Sequence, residues 1–139
     1  MARAFETVAV GDELAPVTIP VTRATLVDYA NASLDQNPIH QDEAFATGVG
    51  LPDVIAHGMW TMGASGTLVA QWAGDAGRIL EYGTRFTSMV VVPRDGAELL
   101  VRGVVKSLDE TTRRATVELT ATSAGAKVLG RALAVVQLD

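Results

Sequence analysis

In the stretch "LDQNPIHQDEAF", Leu34 to Phe45, an aspartate and a histidine stand five residues apart around an Asn-Pro pair. A carboxylate and an imidazole can between them accept and donate a proton near neutral pH, which is what general acid–base chemistry requires. Regular structure would keep them apart. Five residues along a helix turn a side chain by about 140°, and five along a strand send it to the opposite face. Pro38 lacks a backbone N–H and pushes Asn37 out of the helical region, so the chain must bend here. Such a bend can bring Asp35 and His40 to one spot. Plainer readings use the same residues: Asp35 as a cap for the helix starting near Gln41, or as one half of an Asx-turn with Asn37. The Asn37 amide would help to shape the bend in either case.

The second feature is "IAHGM", Ile55 to Met59, at the head of a run from Val54 to Gly74 without Asp, Glu, Lys or Arg. The run is long enough to cross a bilayer. Its four glycines, Ser65, Gln71 and two threonines, and its lack of basic flanks, instead predict a helix over roughly Gly58 to Ala73, buried inside the protein. His57, just ahead of it, would cap or orient its start.

The remaining elements must position these groups. "APVTIPVT" reads as an extended piece, and Thr22 as the N-cap of a helix over "RATLVDYANAS", with Leu26, Val27 and Ala30 on one side. "QDEAFATG" reads as a short helix with Asp42 and Glu43 in its first turn and Gly48 beyond its end. "RILEYGTRFTSMVVV" is expected as one strand, with Leu80, Tyr82, Phe86, Val90 and Val92 on one face. A turn at Pro93 to Gly96 leads to the strand "ELLVRGVVK". "ATVELTAT" alternates, with Ala115, Val117, Leu119 and Ala121 inward. "KVLGRALAVVQL" is a fourth, more apolar strand. Strands so closely linked form an antiparallel sheet. The expectation is a single α+β domain over residues 1–139, its curved sheet wrapped around the long apolar helix. Gly63, Gly66 and Ala70 would let the sheet come close, and the sheet edges would be hidden by dimerisation.

Composition narrows the function. A net charge of −5 argues against a phosphate-tracking, nucleic-acid surface. No cysteine is present, which removes disulfides, thiol nucleophiles and cysteine-ligated metals. A hydrophobic share of 48% points to a further buried, oligomeric face. No signal peptide is read at "MARAFETVAVGDEL", so a cytoplasmic protein without membrane insertion is the default.

"DQNPIH" followed by "AHGM" at the head of an apolar helix resembles the MaoC-like, (R)-specific enoyl-CoA hydratase (hydratase 2) family. "VGDEL", "LVDYANAS", "NPIHQDE", "IAHGMWTMG", "EYGTRFT" and "GRALA" bring it nearest to the catalytic-subunit branch of heterodimeric (3R)-hydroxyacyl-ACP dehydratases. The resemblance implies the hot-dog fold and reversible addition of water to a trans-2-enoyl thioester of coenzyme A or acyl carrier protein, in fatty-acid elongation. It implies Asp35 and His40 as the catalytic pair holding one water, and the backbone N–H of Gly58 as donor to the thioester oxygen. Asn37, Pro38, His57 and Ser65 would shape the site, and Met59, Trp60 and Met62 would line an acyl channel, unless they are simply core. Some hydratases of the family carry a serine that supports the aspartate. The matching position here is Gly66, with Ser65 beside it. The resemblance also implies no cofactor and no metal, and a homodimer or a heterodimer with a related hot-dog subunit.

Other chemistries fit less well. "GASG" is not the nucleophile elbow of hydrolases, and "GVGLPD" lacks the third glycine and the preceding strand of a dinucleotide loop. One histidine among carboxylates, Asp35, Asp42 and Glu43, is a weak metal signal. The alternatives in other classes are a hot-dog acyl-CoA thioesterase and a non-catalytic partner subunit. The latter should lack the Asp–His pair, which this chain keeps.

Overall fold

A computed structural model describes residues 1–139. Helix α1, Arg23–Ser33, begins where predicted, because Thr22 and Thr25 form a reciprocal capping box. It buries Leu26 and Ala30, while Val27, expected beside them, is exposed. The helix ends at Leu34, which adopts a left-handed backbone conformation, φ 68°, without being glycine. Pro38–His40 form a 3₁₀ turn. Helix α2, Glu43–Gly48, follows. Asp42 is its N-cap rather than part of its first turn, and Gly48 is its last residue rather than a stop beyond it.

Helix α3, Gly58–Ala73, is the expected central helix. Leu68, Val69 and Ala73 are buried on it, and no helix of the structure is long and apolar enough to cross a membrane. Five antiparallel strands cover it in the order β1 (Glu13–Val21), β3 (Ala97–Asp109), β4 (Arg114–Ser123), β6 (Leu129–Gln137) and β2 (Ile79–Phe86). A two-residue strand β5, Ala126–Lys127, pairs with β4, so the expected fourth strand is interrupted at Val128. The alternation read in β4 holds, with Ala115, Val117, Leu119 and Ala121 in the core. This is the hot-dog arrangement, α+β, that the sequence resemblance implied.

One expected strand is wrong in a useful way. The run from Arg78 to Val92 does not continue along β6 past Phe86. Thr87 closes the pairing through its N–H to the Val128 carbonyl and its hydroxyl to the Lys127 carbonyl. The next residues then pair elsewhere: Ala56 N–H donates to the Val90 carbonyl and Val92 N–H to the Val54 carbonyl. This short ladder, centred on Ile55 and Val91, fixes the chain that leads into α3.

A clamp fixes the other side. Arg23 bonds Glu43 at 3.0 Å and Asp53 at 2.6 Å, joining α1, α2 and the loop ahead of α3. Arg94 also bonds Glu43, and the hydrogen bonds from Arg94 and Arg23 hold that carboxyl below the usual glutamate range.

Of the three small residues expected to admit the sheet, Gly66 does so. A Cβ there would lie 2.9 Å from the Tyr82 ring. Gly63 faces open space, so it is not a point of close approach. Tyr82 cannot withdraw easily, since its hydroxyl donates to the Met62 carbonyl at 2.6 Å. Gly66→Val is therefore expected to lower unfolding free energy by about 1–3 kcal/mol through overpacking. Denaturant unfolding followed by tryptophan fluorescence measures this, and an unchanged midpoint would contradict the packing described.

Candidate active site

The bend at Asn37-Pro38 is built from backbone chemistry. Leu34 turns the chain out of α1 through its left-handed conformation, a strained choice for a leucine. The Asp35 carboxylate then accepts the Asn37 N–H at 3.1 Å through Oδ1, and the Asn37 side chain accepts the Ile39 N–H at 3.2 Å. Two consecutive Asx-type turns thus curl the segment, and Pro38 starts the 3₁₀ turn that delivers His40. On the outer side Gln36 bonds Asn31 and Gln41 bonds Gln36, each at 2.8 Å, bracing the loop. The Asx-turn foreseen for Asp35 exists, and it occupies only one of the two carboxylate oxygens. The other, Oδ2, lies 4.0 Å from His40 Nε2.

His40 is 7% exposed and its orientation is fixed from behind. Nδ1 lies 2.6 Å from the carbonyl oxygen of Ile55, which can only accept, so Nδ1 carries the proton and Nε2 presents a lone pair. Ile55 was not singled out in the sequence; its role is carried by a backbone oxygen, which residue identity does not reveal. Burial holds His40 below the ordinary imidazole value of 6.5, and the neighbouring His57 acts in the same direction. The Ile55 carbonyl and the Asp35 charge oppose this and are outweighed.

His57 caps nothing. It is 2% exposed, and its Nε2 hydrogen-bonds the backbone carbonyl of Asp35 at 3.0 Å. Its ring stacks on His40 with centroids 3.6 Å apart and meets the edge of Tyr29 at 4.7 Å. His57 thus joins the Asp35 loop to the start of α3. Beside it, the Gly58 N–H has no hydrogen-bond partner, as expected of the first residue of a helix. Together Tyr29, Ser33, Asp35, His40, Gly58 and Met59 line a cleft of about 460 Å³.

Other site residues expected from sequence fall elsewhere. Ser65 is fully buried and donates to the Thr61 carbonyl at 2.8 Å, so it does not reach Asp35. The space beside Gly66 is taken by Tyr82, whose hydroxyl is also committed elsewhere. Ser65 therefore does not substitute for the serine that some hydratases carry, and the Asp35 carboxylate is held by the Asn37 N–H. Of the suggested channel residues only Met59 borders the cleft; Trp60 turns against the core, and Met62 lines neither the cleft nor the pocket beside it. The rotation of about 100° per residue turns Trp60 away from Met59.

Ligand atoms of Asp35, His40 and His57 lie within 4.8 Å of one another, close enough to raise the question of a metal. The arrangement does not fit one. The two rings stack at 22°, so their in-plane lone pairs run side by side instead of converging, and one nitrogen of each already bonds a carbonyl.

The chain belongs to the MaoC-like domain family, whose model matches residues 6–125. Among solved structures, one named MaoC-like dehydratase superposes with a TM-score of 0.97 at 41% identity, covering 99% of this chain and 43% of that one. The (R)-hydratase of A. caviae involved in PHA biosynthesis superposes with a TM-score of 0.85 at 28% identity, over 96% of this chain and 99% of that one. Among curated relatives, the fatty acid synthase subunit beta of Saccharomyces cerevisiae is 37% identical over 82 residues, which is 55% of this chain but only 4% of that subunit.

The lowered basicity of His40 has a measurable consequence. At pH values between its depressed native value and 6.5, the unfolded chain binds a proton that the folded chain declines. Stability contributed by neutral His40 is therefore full above that window and lost as pH falls through it. Urea unfolding at a series of pH values is expected to show a steeper acid-side loss in the parent than in His40→Asn. Parallel profiles would contradict the assignment.

Proposed function

We propose that the protein adds water reversibly to the double bond of a trans-2-enoyl thioester, giving the (3R)-hydroxyacyl thioester, with dehydration as the biosynthetic direction in fatty-acid elongation. One observation carries this reading: Asp35 Oδ2 and His40 Nε2 stand 4.0 Å apart and both are acceptors. Neither has a hydrogen to give the other. A water donating one hydrogen to each would satisfy both, and at ordinary lengths it would see them at roughly 90°, near its own bond angle. Its lone pairs would then face the cleft.

The reaction follows from that placement. As the water oxygen bonds C3, Asp35 takes one of its protons while His40 holds the other and orients the attack. The π pair moves to C2 and onto the thioester oxygen, where the Gly58 N–H receives the growing negative charge. The pair then returns one proton to C2. Hydroxyl and hydrogen have been added, and both side chains end as they began. Water addition to an alkene activated in this way calls for no cofactor. The acyl group would ride on coenzyme A or on acyl carrier protein. The exposed β2 edge supports assembly with a second hot-dog subunit, identical or related.

The test is hydration of crotonyl-CoA with product stereochemistry determined. Asp35→Asn retains the oxygen that accepts the Asn37 N–H, so the loop should survive while proton transfer fails. That variant and His40→Ala are each expected to lose about a hundred- to ten-thousand-fold in rate. An S product, release of free thiol in place of hydration, or variants as fast as the parent would contradict the assignment.

A further inference from the structure

Phe86, the last residue of β2, stands where two cavities meet. One is the cleft of about 460 Å³ that holds Asp35 and His40. The other is a pocket of about 210 Å³ bounded by Ile55, Ala56, Met89, Val90 and Val128. Three residues line both: His40, Gly58 and Phe86. His40 is pinned by the Ile55 carbonyl, and Gly58 contributes only backbone. Of the three, Phe86 alone presents an exposed side chain. The residue is 53% exposed and does not belong to the buried core. It lies across the start of α3 because Gly58 has no side chain; a Cβ there would be 3.1 Å from the ring carbons Cε1 and Cζ.

A substrate placed by the chemistry above would have its thioester oxygen at the Gly58 N–H and C3 near the Asp35–His40 pair. Carbons beyond C3 need apolar surroundings. The Asp35 side of the cleft is open, with that carboxylate's side chain 54% exposed, whereas the pocket beyond Phe86 is bounded mostly by apolar residues. The ring lines both cavities and lies against Gly58 where they meet. We propose that Phe86 is a specificity-determining residue that limits acyl length: with the ring against Gly58 the site takes a short chain, and with the ring turned off Gly58 a longer chain fills the apolar pocket. This rests on the hydration reading for the direction in which the chain lies.

The test compares crotonyl-CoA with trans-2-octenoyl-CoA in the parent, Phe86→Leu, Phe86→Ala and Phe86→Trp. The octenoyl-to-crotonyl ratio of kcat/KM is expected to rise about tenfold in Phe86→Ala, the scale on which hydrophobic pockets distinguish chain lengths. The ratio should rise less in Phe86→Leu and fall in Phe86→Trp. A second arm needs no turnover: calorimetric affinities for octanoyl-CoA and butyryl-CoA, with thermal melts confirming that each variant folds. Octanoyl-CoA is expected to gain over butyryl-CoA in the two smaller variants. If the parent hydrates neither enoyl substrate, the functional reading falls and the binding arm alone decides the role of Phe86. If the parent hydrates crotonyl-CoA while both ratios stay fixed across the variants, or all lengths weaken together, the ring merely covers the Gly58 amide and the proposal is overturned.

Discussion

The hydrogen bond from His40 Nδ1 to the Ile55 carbonyl is the constraint on which the site depends. A backbone carbonyl has no hydrogen to give, so the imidazole must place its proton there and turn a bare nitrogen toward Asp35. Burial favours the uncharged ring. Two acceptors then face each other across a gap too wide for contact, and a proton donor between them is the arrangement that satisfies both.

Much of the rest of the chain serves to hold that geometry. The Ile55 carbonyl is fixed because Val54 and Ala56 pair with Val92 and Val90. This explains why the strand stops at Phe86: residues after it are needed to anchor the approach to α3. The Arg23 clamp secures the same loop through Asp53. From the other side, His57 ties the Asp35 carbonyl to the helix start, and its stacked ring removes water from one face of His40. The left-handed Leu34 costs some conformational energy and is held by these contacts, a pattern common at functional sites.

What was legible in the sequence was what depends on periodicity and local chemistry. The uncharged run gave α3 with its bounds, Thr22 gave the start of α1, and the alternation of Ala115, Val117, Leu119 and Ala121 gave an inner face. Asn37-Pro38 gave the bend, because proline's effect on its neighbours is local. Contacts between distant segments were not legible. Nothing in "SMVVV" says that its valines leave β6 to pair with Ile55, and no residue type marks a carbonyl as the partner of His40. Ser65 misled because proximity in sequence to Gly66 says little about direction: about 100° of helical rotation sends it into the core. His57 was placed correctly at the head of the helix but with a different task, since its bond runs to the Asp35 backbone.

The most direct test of the account is the nitrogen-15 spectrum of His40 in the resting protein at neutral pH. It should show a protonated Nδ1 and a bare Nε2, the tautomer the Ile55 carbonyl enforces. A ring protonated at Nε2, or at both nitrogens, would give Asp35 a direct donor and leave the proposed water without its second acceptor, which would contradict the account.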